Sequence, residues 1–245
     1  MTDKESQLTG ALEDYLETIF ELVRDQKFAR VKDIARVRGV KAGSVSPAMR
    51  RLADMGFIKY IEREYIGLTP EGEAQARCIY AKHQLLTRFF SKILKMPSHA
   101  AEADACAIEH SLSAEGMDHL TRFFEFLQGC PEGEQLLEKF LQCSLVHSDV
   151  EKCKVQCNRE QDSTYAHGKE RISLWELKAG DQAQVCRTLT TAALRQNLLE
   201  KGLVPDAVIG LERFLPDDEQ VQITLHGFSL TLEREEAESV IVTKV

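Results

Sequence analysis

Apolar residues recur at the start of the chain with the period of an α-helix. Leu12, Tyr15, Leu16, Ile19, Phe20 and Val23 fall at i, i+3, i+4, i+7, i+8 and i+11, which predicts an amphipathic helix from about Thr9 to Arg24. Val31, Ile34 and Ala35 then begin a short helix that Gly39 ends, and Val45, Met49, Leu52 and Met55 mark another from about Ser44 to Met55, closed by Gly56. The β-rich runs Phe57–Ile61 and Tyr65–Leu68 meet through Glu62, Arg63 and Glu64 and read as a small hairpin. Helix, helix, turn, helix, hairpin is the order of a winged helix-turn-helix.

Thr69 before Pro70 is a strong helix start, a hydroxyl N-cap followed by proline at the first helical position. The helix it opens runs to about Leu94. Leu85, Leu86, Phe89, Phe90, Ile93 and Leu94 cover more of its surface than one neighbour needs, so part of it is expected to meet a second copy of the chain. Pro97 and Ser98 begin a further helix to about Leu112, Ser113 another to Gly129, and Pro131 a last one bearing Leu136, Leu137, Phe140 and Leu141 on one side.

From Val146 to Arg171 the apolar rhythm fades, and the segment reads as a linker. The final third is made of short β-prone runs between Gly, Pro and Asp turns, with one helix at about Ala192–Lys201, and predicts a small all-β barrel. The expected organisation is mainly α with a small β part: a winged helix-turn-helix over 1–70, a helical domain over 71–145, a linker over 146–171 and the barrel over 172–245.

Charge sharpens this division. The chain of 245 residues carries a net −8. Residues 24–63 nevertheless hold eleven Lys and Arg against four Asp and Glu, a net +7, which leaves −15 for the rest. A basic module on an acidic body suits a protein that grips phosphates locally and whose remainder attracts a cation. No apolar run approaches the roughly 20 residues that span a bilayer, and the start MTDKESQLTG lacks the marks of a secretory signal. A cytoplasmic protein with no membrane partner is expected. Seven Cys, an odd number in a chain without an export signal, argue for free thiols in a reducing compartment.

The sharpest chemical signal is EADACAIEH, which places Glu102, Cys106, Glu109 and His110 at i, i+4, i+7 and i+8 of one helix. Carboxylate, thiolate and imidazole on one face form a polar stripe that a transition metal explains economically; a solvated charged face is the alternative for this helix alone. Helix one adds Asp14 and Glu17, and the helix after Thr69 adds His83. Singly, these are ordinary surface charges and a packing histidine.

Together the segments LEDYLETIFEL, FARVKDIARVRGVKAGSVSPAMRRLADMGFI, GLTPEG, AKHQLL and CAIEH followed by LS resemble the diphtheria toxin repressor family of iron- and manganese-dependent regulators over essentially the whole chain. The resemblance implies a primary metal site shared by Asp14, Glu17, His83, Cys106, Glu109 and His110, operator binding by the basic module, and homodimerisation through the helices after Thr69. Asp14 is similar to the manganese-responsive branch and Cys106 to the iron-responsive one, so Mn²⁺ or Fe²⁺ is expected, with Co²⁺, Ni²⁺ or Zn²⁺ able to substitute in vitro. Family members commonly carry a carboxylate one turn after the histidine. Here that residue is Thr87, which leaves an ancillary ion absent, weak or rebuilt with Glu102. LWELKAGDQAQV, ALRQNLLEKGLVP and GFSLTLEREEAESVIV resemble the barrel domain of ferrous-transport accessory proteins, FeoA-like, whose partner here is open.

On this reading the Ser44–Met55 helix enters the major groove of double-stranded DNA. Ser44 and Ser46 donate to phosphates or base edges, Pro47 offers apolar contact, and Arg50 and Arg51 flank them. Arg30, Lys32 and Lys41 grip the backbone, joined by Arg63 at the hairpin tip. Cys130, Cys143, Cys153 and Cys157 offer a second site for Zn²⁺ or an iron–sulfur cluster, although isolated thiols are the simpler reading. Two other functions compete. An enzyme using Cys106 with His110 lacks an orienting third group, and a metal-buffering or transport-accessory protein acting through the barrel leaves the basic module unexplained.

Overall fold

The computed structural model describes residues 8–61, 65–142, 171–215 and 219–245. Helix α1 (Gly10–Gln26) buries Leu12, Leu16, Ile19 and Phe20, the stripe that its periodicity marks. Helix α2 (Val31–Arg38) and helix α3 (Ala42–Asp54) pack against it through Ile34, Val45, Met49 and Leu52, and β1 (Ile58–Tyr60) pairs antiparallel with β2 (Ile66–Leu68). This is the helix-turn-helix with its hairpin wing.

Helix α4 (Pro70–Arg88) starts as its sequence dictates: the Thr69 hydroxyl accepts the Gly72 N–H at 3.0 Å. Beyond Arg88 the helix widens into a π-helical turn, Phe89–Ile93. Helices α5 (Ser98–Ile108), α6 (Ala114–Gly129) and α7 (Pro131–Gln142) complete the middle of the molecule, with the Ser113 hydroxyl capping α6 at Gly116 N. Leu85, Leu86 and Ile93 are buried against Ala105, Met117, Phe124 and Leu127, so this subunit absorbs most of the apolar surplus of α4. Apolar side chains left exposed lie instead on α6 and α7, at Phe123, Phe126, Leu136 and Phe140, and at Leu94.

The C-terminal part is a six-stranded antiparallel sheet in the order β3-β8-β4-β5-β6-β7: β3 (Arg171–Ser173), β4 (Gln182–Thr188), β5 (Val208–Phe214), β6 (Gln220–Leu225), β7 (Phe228–Glu233) and β8 (Val240–Lys244). This is the small all-β part expected from sequence; among the described residues its barrel is not closed, because β3 and β7 are edges that do not pair with each other. Two helices accompany it. Helix α8 (Ala192–Glu200) was legible, whereas α9 (Arg234–Ser239) was not. A capping box of Glu233 with Glu236 starts α9 right after β7.

This sheet docks on the helices. Phe228 stacks on Phe20 of α1 with ring centroids 4.6 Å apart, and His226 meets Tyr80 of α4 edge-on at 4.9 Å. Lys92 pairs with Asp206 at 2.7 Å, and buried Glu125 of α6 accepts both the N–H and the hydroxyl of Thr188. Helix α4 serves all three cores: Ala76 and Ile79 face the winged helix, Ala81 the sheet, Leu85 and Leu86 the helical body.

Candidate metal centre

Among the described residues two groups of ligand-type side chains come together: Asp14, Cys106 and Glu109, and Glu17, His83 and Glu109, with the donor atoms of each group within 4.8 Å of one another. Glu109 belongs to both. Asp14 and Glu17 come from one side of α1, three residues apart; His83 is buried on α4; Cys106 lies on α5. Glu109 and His110 follow the last residue of α5, Ile108, rather than riding on a helix to Leu112, but Glu109 keeps a helical backbone and its N–H still donates to Ala105 O.

The contacts are those of a crowded acidic pocket. His83 Nδ1 lies 2.8 Å from Glu109 Oε2, and His83 Nε2 lies 3.1 Å from Glu102 Oε1 and 3.3 Å from the Thr87 hydroxyl. His110 Nε2 lies 3.0 Å from Asp14 Oδ1, and its ring presses against Gly10, where a Cβ would approach the ring carbons to 3.2 Å. Cys106 Sγ is 4.0 Å from Asp14 Oδ1. Glu109 Oε1 is buried and makes no hydrogen bond, although His110 Nε2 stands 3.3 Å away.

Protonation shows the same strain. Burial, reinforced by Glu109, Glu21 and Asp14, pushes the Glu17 carboxyl up to about 7 even though His83 opposes it. Burial pulls the His83 imidazole down, but its bond to Glu109 and the charges of Glu17 and Glu109 outweigh that and hold it at about 9. Burial also raises the Cys106 thiol, helped by Asp14 and Glu109. Protons are thus retained where carboxylates crowd. The orphaned Glu109 oxygen and a donor set of oxygen, nitrogen and sulfur fit a divalent transition metal, which would supply the positive charge the pocket lacks.

Two neighbours of this pocket escaped the sequence reading. Glu13 Oε2 lies 2.5 Å from His110 Nδ1, and Arg38 Nη2 lies 2.5 Å from Asp14 Oδ2. Glu13 adjoins Asp14 on a helix rich in acids, and Arg38 belongs to another element, so neither carried a local signal.

The residues expected to meet DNA lie on the winged module. Arg30, Lys32, Lys41, Ser44, Pro47, Arg50 and Arg51 are exposed, and Ser46 is half-buried. Lys41 offers no side-chain cap to the start of α3, and Arg30 lies over the Phe28 ring. Arg63 lies outside the described residues, as do Cys143, Cys153 and Cys157. Cys130 is half-buried, and its sulfur accepts from Arg187 Nη1 at 3.4 Å. No helix among the described residues is long and apolar enough to cross a membrane.

A winged helix-turn-helix module whose leading helix α1, ahead of the α2–α3 pair, shares an acidic His/Cys site with a helical body defines a metal-responsive DNA-binding regulator. The models for the N-terminal DNA binding domain and for the metal binding and dimerisation domain of the iron dependent repressors match residues 7–65 and 69–138, and the FeoA domain matches 172–244. The HTH-type transcriptional regulator MntR of Listeria innocua serovar 6a is 31% identical over 131 residues, 54% of this chain and 92% of its own. The transcriptional regulator MntR of Salmonella typhimurium is 33% identical over 120 residues, 49% of this chain and 76% of its own. The crystal structure of T. acidophilum IdeR, 22% identical, aligns over 95% of this chain and 97% of that one with a TM-score of 0.43. The chain belongs to the iron-dependent repressor family of metal-dependent transcriptional repressors, as its motifs lead one to expect.

Proposed function

We propose that this repressor senses Mn²⁺ or Fe²⁺ in the cytoplasm and binds operator DNA as a homodimer when the ion is held between α1 and the helical body. The observation that supports this reading is the sharing of Glu109 between two donor groups, one drawn from α1 and α5, the other from α1 and α4. Asp14, Cys106, Glu109 and His110 form one subsite; Glu17, His83 and Glu109, with Glu102 at its exposed rim, form the next. Carboxylates and imidazoles suit Mn²⁺ or Fe²⁺, and the Cys106 thiolate tilts the first subsite toward Fe²⁺ over Mn²⁺.

Helix α1 belongs to the winged module, whereas α4 and α5 belong to the body. Neutralising the shared carboxylates removes the repulsion between them and fixes the two parts, hence the separation of two reading heads across the dimer. The exposed apolar face of α6 and α7 supports dimerisation, and the exposed cations around α3 support phosphate contact with Ser44, Ser46 and Pro47 nearest the bases. Anaerobic titration with each metal, read by gel shift on DNA from upstream of its own gene, tests the proposal. Mn²⁺ or Fe²⁺ is expected to raise DNA affinity; affinity indifferent to both ions would overturn it.

A further inference from the structure

Arg38 is the last residue of α2, the helix that packs directly against the DNA-reading α3 and bears none of the donors. The helix stops at Gly39 in the left-handed region (φ 64), which leaves Arg38 in the final turn facing α1. Its Nη2 donates to Asp14 Oδ2 at 2.5 Å, and its guanidinium carbon lies 5.8 Å from the centroid of the Tyr15 ring. The two oxygens of Asp14 are therefore divided. Oδ2 belongs to Arg38, while Oδ1 faces His110 Nε2 at 3.0 Å and Cys106 Sγ at 4.0 Å.

We propose that Arg38 is a positioning residue that ties the first helix of the helix-turn-helix pair to the metal ligand Asp14, so that occupancy of the site is felt by α2 directly; this rests on the metal-dependent reading above. A free carboxylate rotates, and a partner at one oxygen is easily lost. Once Oδ1 is engaged in the donor cluster, Oδ2 becomes a fixed anchor, and the guanidinium paired with it holds α2. Arginine suits this task because its planar fork stays charged and is held by the flat face of Tyr15, so little freedom is lost in forming the pair.

The test compares the parent with R38Q and R38K in the full-length protein. The first readout is the ratio of DNA affinities with and without Mn²⁺, which cancels any phosphate contact that Arg38 itself makes. The second is hydrogen exchange of residues 31–38 on adding Mn²⁺ without DNA. R38Q is expected to lower the affinity ratio by roughly tenfold, about 1.4 kcal/mol, and to lose the metal-induced protection of α2 while α1 keeps its own; R38K should retain part of both. An R38Q protein whose ratio and α2 protection match the parent overturns the proposal. A parent that shows no response to metal refutes the functional reading instead, so the two failures are told apart.

Discussion

Replacing Glu109 with Gln separates the proposed metal binding from folding. The Glu109 side chain is 2% exposed, one oxygen facing His83 and the other without a hydrogen bond. Glutamine preserves size and offers a carbonyl oxygen to His83 Nδ1–H. Loss of the carboxylate weakens the hold of the buried imidazole on its proton, and Glu17 and Glu102 stay beside it, so no unpaired cation is left behind. The cost to the metal-free fold is then the difference between a charge-assisted and a neutral hydrogen bond, about 1–2 kcal/mol. Metal binding loses far more, because the anionic donor common to both subsites is gone. Partners one shell out from a metal are worth about 10–100-fold in affinity, so a shared direct ligand should exceed about 100-fold, or about 2.7 kcal/mol. Competition for Mn²⁺ and Fe²⁺ against a fluorescent chelator, beside thermal melts of the metal-free proteins, measures both effects. An E109Q protein that binds either ion within threefold of the parent would refute the assignment of Glu109 as the shared ligand.

Further outcomes can be checked alongside. The fold holds protons on Glu17 up to about 7 and on His83 up to about 9, both above their ordinary values. Their contribution to the metal-free protein is therefore present at low pH and is lost as pH rises through those values, so its melting temperature should fall between pH 5 and 9. Ligation must expel the same protons, so Mn²⁺ affinity should climb over this window, with a proton release that calorimetry in two buffers can count. Replacing Lys41 or Arg51 with Ala should weaken DNA binding for all sequences alike and reduce the salt slope by about one each, seen in gel shifts at several salt concentrations. Leu16→Ala, at a fully buried position of α1, should cost about 2–5 kcal/mol in denaturant titrations.

Much of this architecture was written in local pattern. The stripe of α1, the Thr69-Pro70 start of α4 and the Ser113 cap of α6 are periodicity and capping, which a linear chain displays directly. The proximity of Cys106 to Glu109 was legible for the same reason, the two being three residues apart. Helix α9 was hidden, since six residues between two β-prone runs give no helical period and only the Glu233/Glu236 box betrays it. Arg38 and Glu13 were illegible for a different cause. Their roles depend on where α2 ends relative to α1 and on how closely the turn after α5 approaches it, distances that no spacing in sequence encodes.

Because α4 lends side chains to every core, it acts as a keel rather than a connector. Melting the winged module, the helical body or the sheet by itself would strip one flank of the same 19-residue helix. Calorimetry of the metal-free protein should therefore show overlapping rather than well-separated transitions, although three cores are present. Cutting away residues 171–245 would uncover Phe20 and Tyr80 near the joint between reading head and body, so a shortened regulator should lose rigidity at the point where the ion is meant to act.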